Sequence, residues 1–380
     1  MKYLIFITAL LFLCFSSINI KAQNIQVDPL LIQDLEVFKI HEPLKLWLNF
    51  LKSKDDKKGA HYWNSKEVKQ YSDTTYFQLK DLDYFEDGKF IKTLNHGTTV
   101  LSITKKDTLY KITSMLRFKV DDSISTTPFI FHVYALIEKE SGLLKLYNPF
   151  PINQKLMMQE KSFENIHYVF PKYHEFNKSL AKEQTRKIAF VEKEFNLKLN
   201  YPTFIFTNNR SELYRLFGYD FNFQDIGDEK PFGRAFVQNN YVYACGTGEY
   251  FPHELIHLMI NPTWPKAHGW FIEGFASYFG ESRGKSLDWH LKNFKKYYLA
   301  HPMEDYSDLL SKRNIDDISG YQYVIGGLFV KLAYEKGGAE SVKRLMTFGD
   351  SDTEFYLALE TVLGIKKEGI NQFFREYFNK

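Results

Sequence analysis

Cysteine is almost missing from this chain. Among 380 residues only Cys14 and Cys245 carry a thiol. Cys14 sits in the one long apolar run, residues 4–15, so the remainder holds a single cysteine and an internal disulfide is excluded. A hydrophobic core must therefore hold the fold, and the length is ample for two domains. A strong charge of either sign is missing too. The net charge of +3 is too small to argue for a nucleic acid or an anionic membrane as partner. Internal repeats and low-complexity tracts are absent.

Apolar runs of membrane-spanning length are the next absence. Residues 4–15 fall short of the roughly 20 that a spanning helix needs. With Met1-Lys2 as a basic start and a more polar tail ending at Ala22, residues 1–22 read as a cleaved signal peptide. Leu13 precedes Cys14 where a lipidated cysteine needs a small neighbour, which argues against a lipoprotein. An uncleaved N-terminal anchor is the alternative. The expectation is an exported chain, periplasmic or extracellular, with no membrane span once the leader is removed.

What is present is concentrated near residue 255. His253-Glu254-Leu255-Ile256-His257 reads H-E-x-x-H inside an apolar stretch, 249–260. Pro252 stands where a first-turn proline is tolerated, and Asn261-Pro262 is expected to close the helix. Residues four apart share a helix face, so His253 and His257 can aim both imidazoles at one metal ion. Glu254, one residue along, can reach water on that metal. A second helix is expected over 270–279, stopped at Gly280. Its aromatic residues suit burial, which leaves Glu273 in need of a partner, because carboxylates are rarely buried unless paired or metal-bound. Glu273 follows His257 by sixteen residues, enough for a turn and an antiparallel return. Two histidines and one carboxylate form a three-ligand zinc site with an open fourth position. Cys245, eight residues before His253, reads as a small buried strand residue rather than a thiolate ligand.

These motifs, with Trp270–Tyr278 as W-x-x-E-G-x-A-x-Y, resemble the gluzincins, the thermolysin-like and aminopeptidase-like zinc peptidases. The similarity is greatest to compact bacterial peptidase-MA-like domains and spans about residues 165–380. The zincin class with H-E-x-x-H-x-x-G-x-x-H is excluded, since Ile260 and Thr263 occupy its glycine and third histidine. For the class with an aspartate third ligand the nearest downstream candidate is Asp288, which lacks a comparable context. The resemblance implies one zinc per chain on His253, His257 and Glu273, a metal-activated water, and Glu254 as general base. It also implies a tyrosine that stabilises the oxyanion. Tyr323, six residues before Phe329, matches best; Tyr321 is the alternative, and an ordinary core tyrosine remains an open reading. An edge strand in this family pairs with extended substrate, and Gly233, Arg234, Ala235 and Phe236 are the candidates here. One departure stands out: thermolysin-type helices carry a histidine-bracing aspartate four residues after the glutamate ligand, and here that position is Ser277. Some other carboxylate or carbonyl must orient the imidazoles.

The expected fold class is α+β. An N-terminal helix-plus-antiparallel-sheet module over 25–150 precedes a thermolysin-like zincin domain over 155–380, with a small sheet, the active-site helix and an all-helical C-terminal subdomain. In the first module a helix is expected over 30–54, broken near Pro43, with Leu44, Trp47, Leu48 and Leu51 on one stripe. Strands are expected at 75–79, 98–104, 109–120, 129–137 and 142–147, with turn signals at Asp87-Gly88 and Lys106-Asp107. His41, His61, His96 and His132 are scattered and read as structural. Asn148-Pro149-Phe150-Pro151 reads as a linker. Beyond it the pattern is strand 167–170, helix 179–195, strand 202–207, helix 211–217, then strands 233–237 and 241–245. After Glu273 helices are expected at 286–299, 322–335 (stopped by Gly337-Gly338), 341–347, 353–362 and 368–378.

Three functions are compatible with these residues: a zinc peptidase acting on peptide or protein, a zinc-retaining binding module without activity, and a zinc hydrolase of a non-peptide bond. The candidate substrate-pairing strand favours the first. No G-x-M-E-N segment, the amine-binding motif of related aminopeptidases, lies upstream, which points to an endopeptidase.

Overall fold

The computed structural model describes residues 25–53, 59–70, 96–119, 125–222 and 230–379. The expected leader, the strand at 75–79 and the Asp87-Gly88 turn lie outside the described residues. The protein is mixed α/β, with two sheets and a helical C-terminal region. It divides into two compact units. The first comprises Met1–Leu156 and Tyr214–Gly227; the second comprises Met157–Leu213 and Asp228–Lys380. No helix among the described residues is long and apolar enough to cross a membrane.

The chain begins with β1 (Ile25–Val27), α1 (Pro29–Phe38), α2 (His41–Lys52) and α3 (Ser65–Gln70). A meander follows: β2 (His96–Lys106), β3 (Leu109–Lys119), β4 (Ser125–Ile137) and β5 (Leu144–Tyr147), then α4 (Pro149–Met157). Next come β6 (Met158–Phe163), β7 (Ile166–Pro171), α5 (Lys178–Phe195), β8 (Thr203–Thr207), α6 (Arg210–Leu216) and β9 (Tyr219–Asn222). The remainder is β10 (Phe232–Phe236), β11 (Tyr241–Cys245), α7 (Pro252–Thr263), α8 (Gly269–Gly280), α9 (Leu287–Ala300), α10 (Tyr321–Met346), α11 (Asp352–Ala358) and α12 (Ile370–Phe378).

In the first unit β1 pairs parallel with β2, and β2 to β5 form the antiparallel meander. β9, which the sequence did not announce, pairs with Phe129–Phe131 of β4, while β5 pairs further along β4. The expected 30–54 helix is two helices. The break falls at Lys39, in the left-handed region (φ 53°), and not at Pro43, which occupies the first turn of α2, where no N–H is needed. Leu44, Trp47, Phe50 and Leu51 of α2 are buried, and the Trp47 indole donates to Ser114 Oγ at 2.9 Å. The proline-rich stretch expected to be a linker is the start of α4, because prolines in a first turn lose no intrahelical bond. His132 is structural, with Nδ1 3.0 Å from Asp220 Oδ2 and Nε2 3.2 Å from Asn153 Nδ2.

In the second unit the sheet order is β10-β11-β8-β7-β6. β7, β8 and β11 are parallel, and β6 and β10 are antiparallel strands at its two edges. α5 packs its buried face, including Ile188, Val191 and Phe195, into the core; Phe195 meets Phe275 and Phe279 of α8 at centroid distances of 4.7 and 4.9 Å. α7 continues through Pro262 to Thr263, one turn further than expected. The proline costs one bond near the helix end, where Trp264 N–H still reaches the Ile260 carbonyl (2.8 Å) and Thr263 Oγ1 donates to that of Met259 (2.7 Å). Gly337 (φ −160°) and Gly338 (φ 60°) leave the helical region, so α10 is two helical stretches that meet at a kink where the sequence expected a stop, and a π-helical turn, Leu359–Leu363, extends α11.

α8 and α10 touch backbone to backbone. A Cβ on Gly274 would lie 2.3 Å from the Gly326 carbonyl carbon, and one on Gly326 would lie 2.2 Å from the Trp270 carbonyl oxygen. Glycines inside helices normally weaken them by about 1 kcal/mol each. Here they permit a crossing that no side chain would allow, and the buried apolar faces of both helices offset the cost.

Glu67 in the first unit supplies a pH-dependent stability term. Burial pushes its carboxyl up to about 7, although Asn148 N–H donates to it at 2.9 Å. Its folded pKa lies above the unfolded one, so the folded state holds the extra proton between about pH 4.5 and 7, and stability falls as pH rises through that window. Relative to the unmodified chain, Glu67→Gln should gain up to about 3 kcal/mol between pH 5 and pH 8. Hydrogen exchange of β3 and β4 amides at the two pH values measures this; a constant difference between the two proteins contradicts it.

Candidate metal centre

The segment entering α7 is fixed before the helix begins. Buried Glu249 accepts from Asn177 N–H (2.6 Å) at the N-terminus of α5 and lies 2.8 Å from His174 Nε2. The Phe251 N–H donates to Gln184 Oε1 at 2.6 Å. Pro252 then opens α7, and His253, Glu254 and His257 are all buried.

Three donor atoms converge. His253 Nε2 and His257 Nε2 are 3.2 Å apart; Glu273 Oε2 is 3.3 Å from the first and 3.5 Å from the second. Four donors about 2.0–2.1 Å from a tetrahedral zinc ion sit about 3.3–3.4 Å from one another. The observed separations match that edge length, so the donor set fits zinc in both chemistry and size.

The far side of each imidazole is occupied. His253 Nδ1 donates to the backbone carbonyl of Glu281 at 2.6 Å, and His257 Nδ1 to Asn261 Oδ1 at 3.2 Å. Both acceptors place the imidazole proton on Nδ1 and leave Nε2 to the centre. These are the orienting groups that the sequence left unnamed. Asn261 lies four residues after His257 and was legible as its neighbour on the helix; a carbonyl such as that of Glu281 has no sequence signature. Ser277, at the position of the missing aspartate, is buried, and its hydroxyl has no hydrogen-bond partner among the described residues.

The charges are strongly coupled. Burial works against ionised Glu273, yet the nearby His257 and His253 hold it well below the usual carboxylate range. Burial alone would lower His257, but the Glu273 carboxylate raises it to about 9. Burial pushes the Glu254 carboxyl above its ordinary value, opposed by the two histidines and by a hydrogen bond from the Ala235 N–H.

That last bond ties β10 to the centre. β10 is an edge strand, paired only with β11 among the described residues. In an antiparallel pair alternate residues point their backbone groups toward the partner. Since the Ala235 N–H reaches Glu254, Gly233 and Ala235 are the pair facing the open edge. Strand and helix are so close that a Cβ on Gly233 would strike Phe251 (2.1 Å) and Glu254 (2.6 Å). The Arg234 guanidinium lies over the Phe236 ring at 5.3 Å, and Phe236 stacks on Tyr241 at 4.8 Å.

Of the two candidate tyrosines, only Tyr323 stands beside the histidines, its ring centroid 6.0 Å from that of His253. Burial, then the Glu273 charge, pushes its hydroxyl up to about 12, which keeps it a proton donor at neutral pH. Tyr321 instead gives its hydroxyl to Glu304 Oε1 at 3.1 Å. Cys245 is buried on β11, outside the cluster of donor atoms.

The purified chain should take up one zinc ion, and His253→Ala/His257→Ala should take up none, as read by elemental analysis. Asn261→Ala should weaken zinc binding roughly 10-fold or more in competition with a chromophoric chelator. An unchanged affinity would remove Asn261 from the site.

No protein-family model and no curated protein matches the chain. Among solved structures it is similar to the M1 zinc metallopeptidase from Deinococcus radiodurans, with 13% identity and a TM-score of 0.30 over 73% of this chain and 63% of that one. A mutant of that enzyme gives the same identity and TM-score over 74% and 66%. A two-domain M1 zinc metallopeptidase mutant bound to L-arginine gives 13% and 0.30 over 73% and 63%. The chain thus spans less than two thirds of the length of each neighbour.

Proposed function

We propose that this protein is an exported zinc-dependent peptidase, acting as an endopeptidase on extended segments of peptide or protein. The observation that carries the reading is the convergence of His253 Nε2, His257 Nε2 and Glu273 Oε2 at tetrahedral edge distances, with both Nδ1 atoms already committed. A zinc ion held there supplies Lewis acidity, which acidifies water and polarises a carbonyl.

The chain's own residues supply the remainder. Glu254 is the only carboxylate of the H-E-x-x-H helix turn, and its buried, raised carboxyl suits it to take a proton from the attacking water and pass it to the departing amine. Tyr323 offers a hydroxyl to the oxyanion that forms at the carbonyl. The open edge of β10 offers the Gly233 main chain and the Ala235 carbonyl to an extended peptide, the Ala235 N–H being already given to Glu254, an addition that makes few demands on peptide sequence. Arg234 and Phe236 lie on the alternate face, where every second substrate side chain would pass.

Glu254→Gln should keep its zinc and lose roughly two or more orders of magnitude in turnover, the scale of a lost general base. Tyr323→Phe should also keep its metal and lose about 10²–10³-fold, the scale of a lost oxyanion donor. A proteome-derived peptide library, digested with each protein and read by mass spectrometry, reports both rate and cleavage position. Equal cleavage by Glu254→Gln and the unmodified chain would sink the reading and leave a binding role for the centre.

A further inference from the structure

α8 approaches α7 closely enough that a Cβ on Gly280 would lie 2.9 Å from both the backbone N and the Cα of His253. The next residue, Glu281, ends α8 at φ 71° and ψ 175°. That region is essentially reserved for glycine. A glycine would fit without strain, yet the chain places a glutamate there. Two observations give the side chain a purpose. Lys187 Nζ from α5 donates to Glu281 Oε1 at 2.8 Å, and the Tyr250 hydroxyl, two residues before α7, donates to the same oxygen at 2.8 Å. The backbone of that residue carries the carbonyl that receives His253 Nδ1–H.

We propose that Glu281 is a positioning residue: its carboxylate, clamped by Lys187 and Tyr250, locks an otherwise unfavourable backbone conformation and so aims its carbonyl at His253 Nδ1. Its role rests on the metal-centre reading above. The clamp takes over the task that the side chain at position 277 leaves undone, since the Ser277 hydroxyl makes no hydrogen bond among the described residues. It also links three elements. α5 supplies Lys187, the approach to α7 supplies Tyr250, and the end of α8 supplies the carbonyl. The first histidine is therefore oriented by the junction of these elements and not by a neighbour on its own helix, unlike His257 with Asn261.

The test uses the full chain and two readouts. Long-range proton–nitrogen NMR of the histidine side chains reports the His253 tautomer in metal-free protein, and chelator competition reports zinc affinity. The unmodified chain should hold its His253 proton on Nδ1. Glu281→Ala should show a mixture of tautomers and bind zinc at least tenfold more weakly. Glu281→Gln, whose amide oxygen still accepts from both donors, should stay within about threefold of the unmodified chain. Lys187→Met/Tyr250→Phe leaves Glu281 in place and should repeat the loss, which keeps the test decisive if Glu281→Ala does not fold. Unchanged tautomer and affinity when the clamp is removed would overturn the proposal, as would a drop in melting temperature alone. If the unmodified chain binds no zinc while the tautomer still responds to Glu281→Ala, the metal reading fails and the clamp stands.

Discussion

The geometry of the second unit depends on α8 passing its neighbours without a Cβ in the way. At Gly274 it meets Gly326 of α10, and at Gly280 it meets His253 of α7. Glu273 lies next to the first contact, and Tyr323 lies one turn before Gly326. The two glycine contacts thus set where the carboxylate, the tyrosine and the first histidine stand relative to one another. Interior helices separate by 8–10 Å according to the side chains between them, so adding even a methyl group at such a crossing displaces whole elements.

Electrostatics constrains the same place independently. A buried carboxylate alone is costly, and two imidazoles with their ring nitrogens 3.2 Å apart repel unless a positive charge lies between them. Glu273 and the histidines answer each other only as a set, which is why the histidine pKa rises while that of the carboxylate falls. The outer ring of acceptors is neutral. A carbonyl and an amide oxygen orient the imidazoles without adding negative charge to a centre that already holds Glu254 and Glu273.

How much of this was legible in the sequence follows from how local each signal is. His253, Glu254 and His257 are one helical turn, so spacing alone placed them on one face. Glu273 was legible because a carboxylate among aromatic residues needs a partner. β10 and β11 were marked by short β-prone runs, although only the sheet order put β10 at an edge. Between Tyr321 and Tyr323 the family resemblance favoured Tyr323 but spacing alone left both open, since both lie in the first turn of α10 and only the surroundings send one to Glu304 and the other to His253. Prolines misled three times: at Pro43 a helix runs on where a break was expected, at Pro149 and Pro151 a helix begins where a linker was expected, and at Pro262 a helix continues where an end was expected. In each case the ring sits within a turn of a helix end, where few backbone bonds are at stake.

β9 has a consequence for how the protein is made. It joins β4 through a pairing in which His132 and Asp220 meet across 88 residues of sequence. A ribosome releases the chain from its N-terminus, and domains tend to fold in that order. The first unit's sheet, however, lacks a strand until residue 222 has emerged, and by then β6, β7 and β8 of the second unit have already been synthesised. The two units therefore mature over an overlapping interval of synthesis. During it, the edge of β4 at Phe129–Phe131 still awaits the strand that covers it in the folded chain.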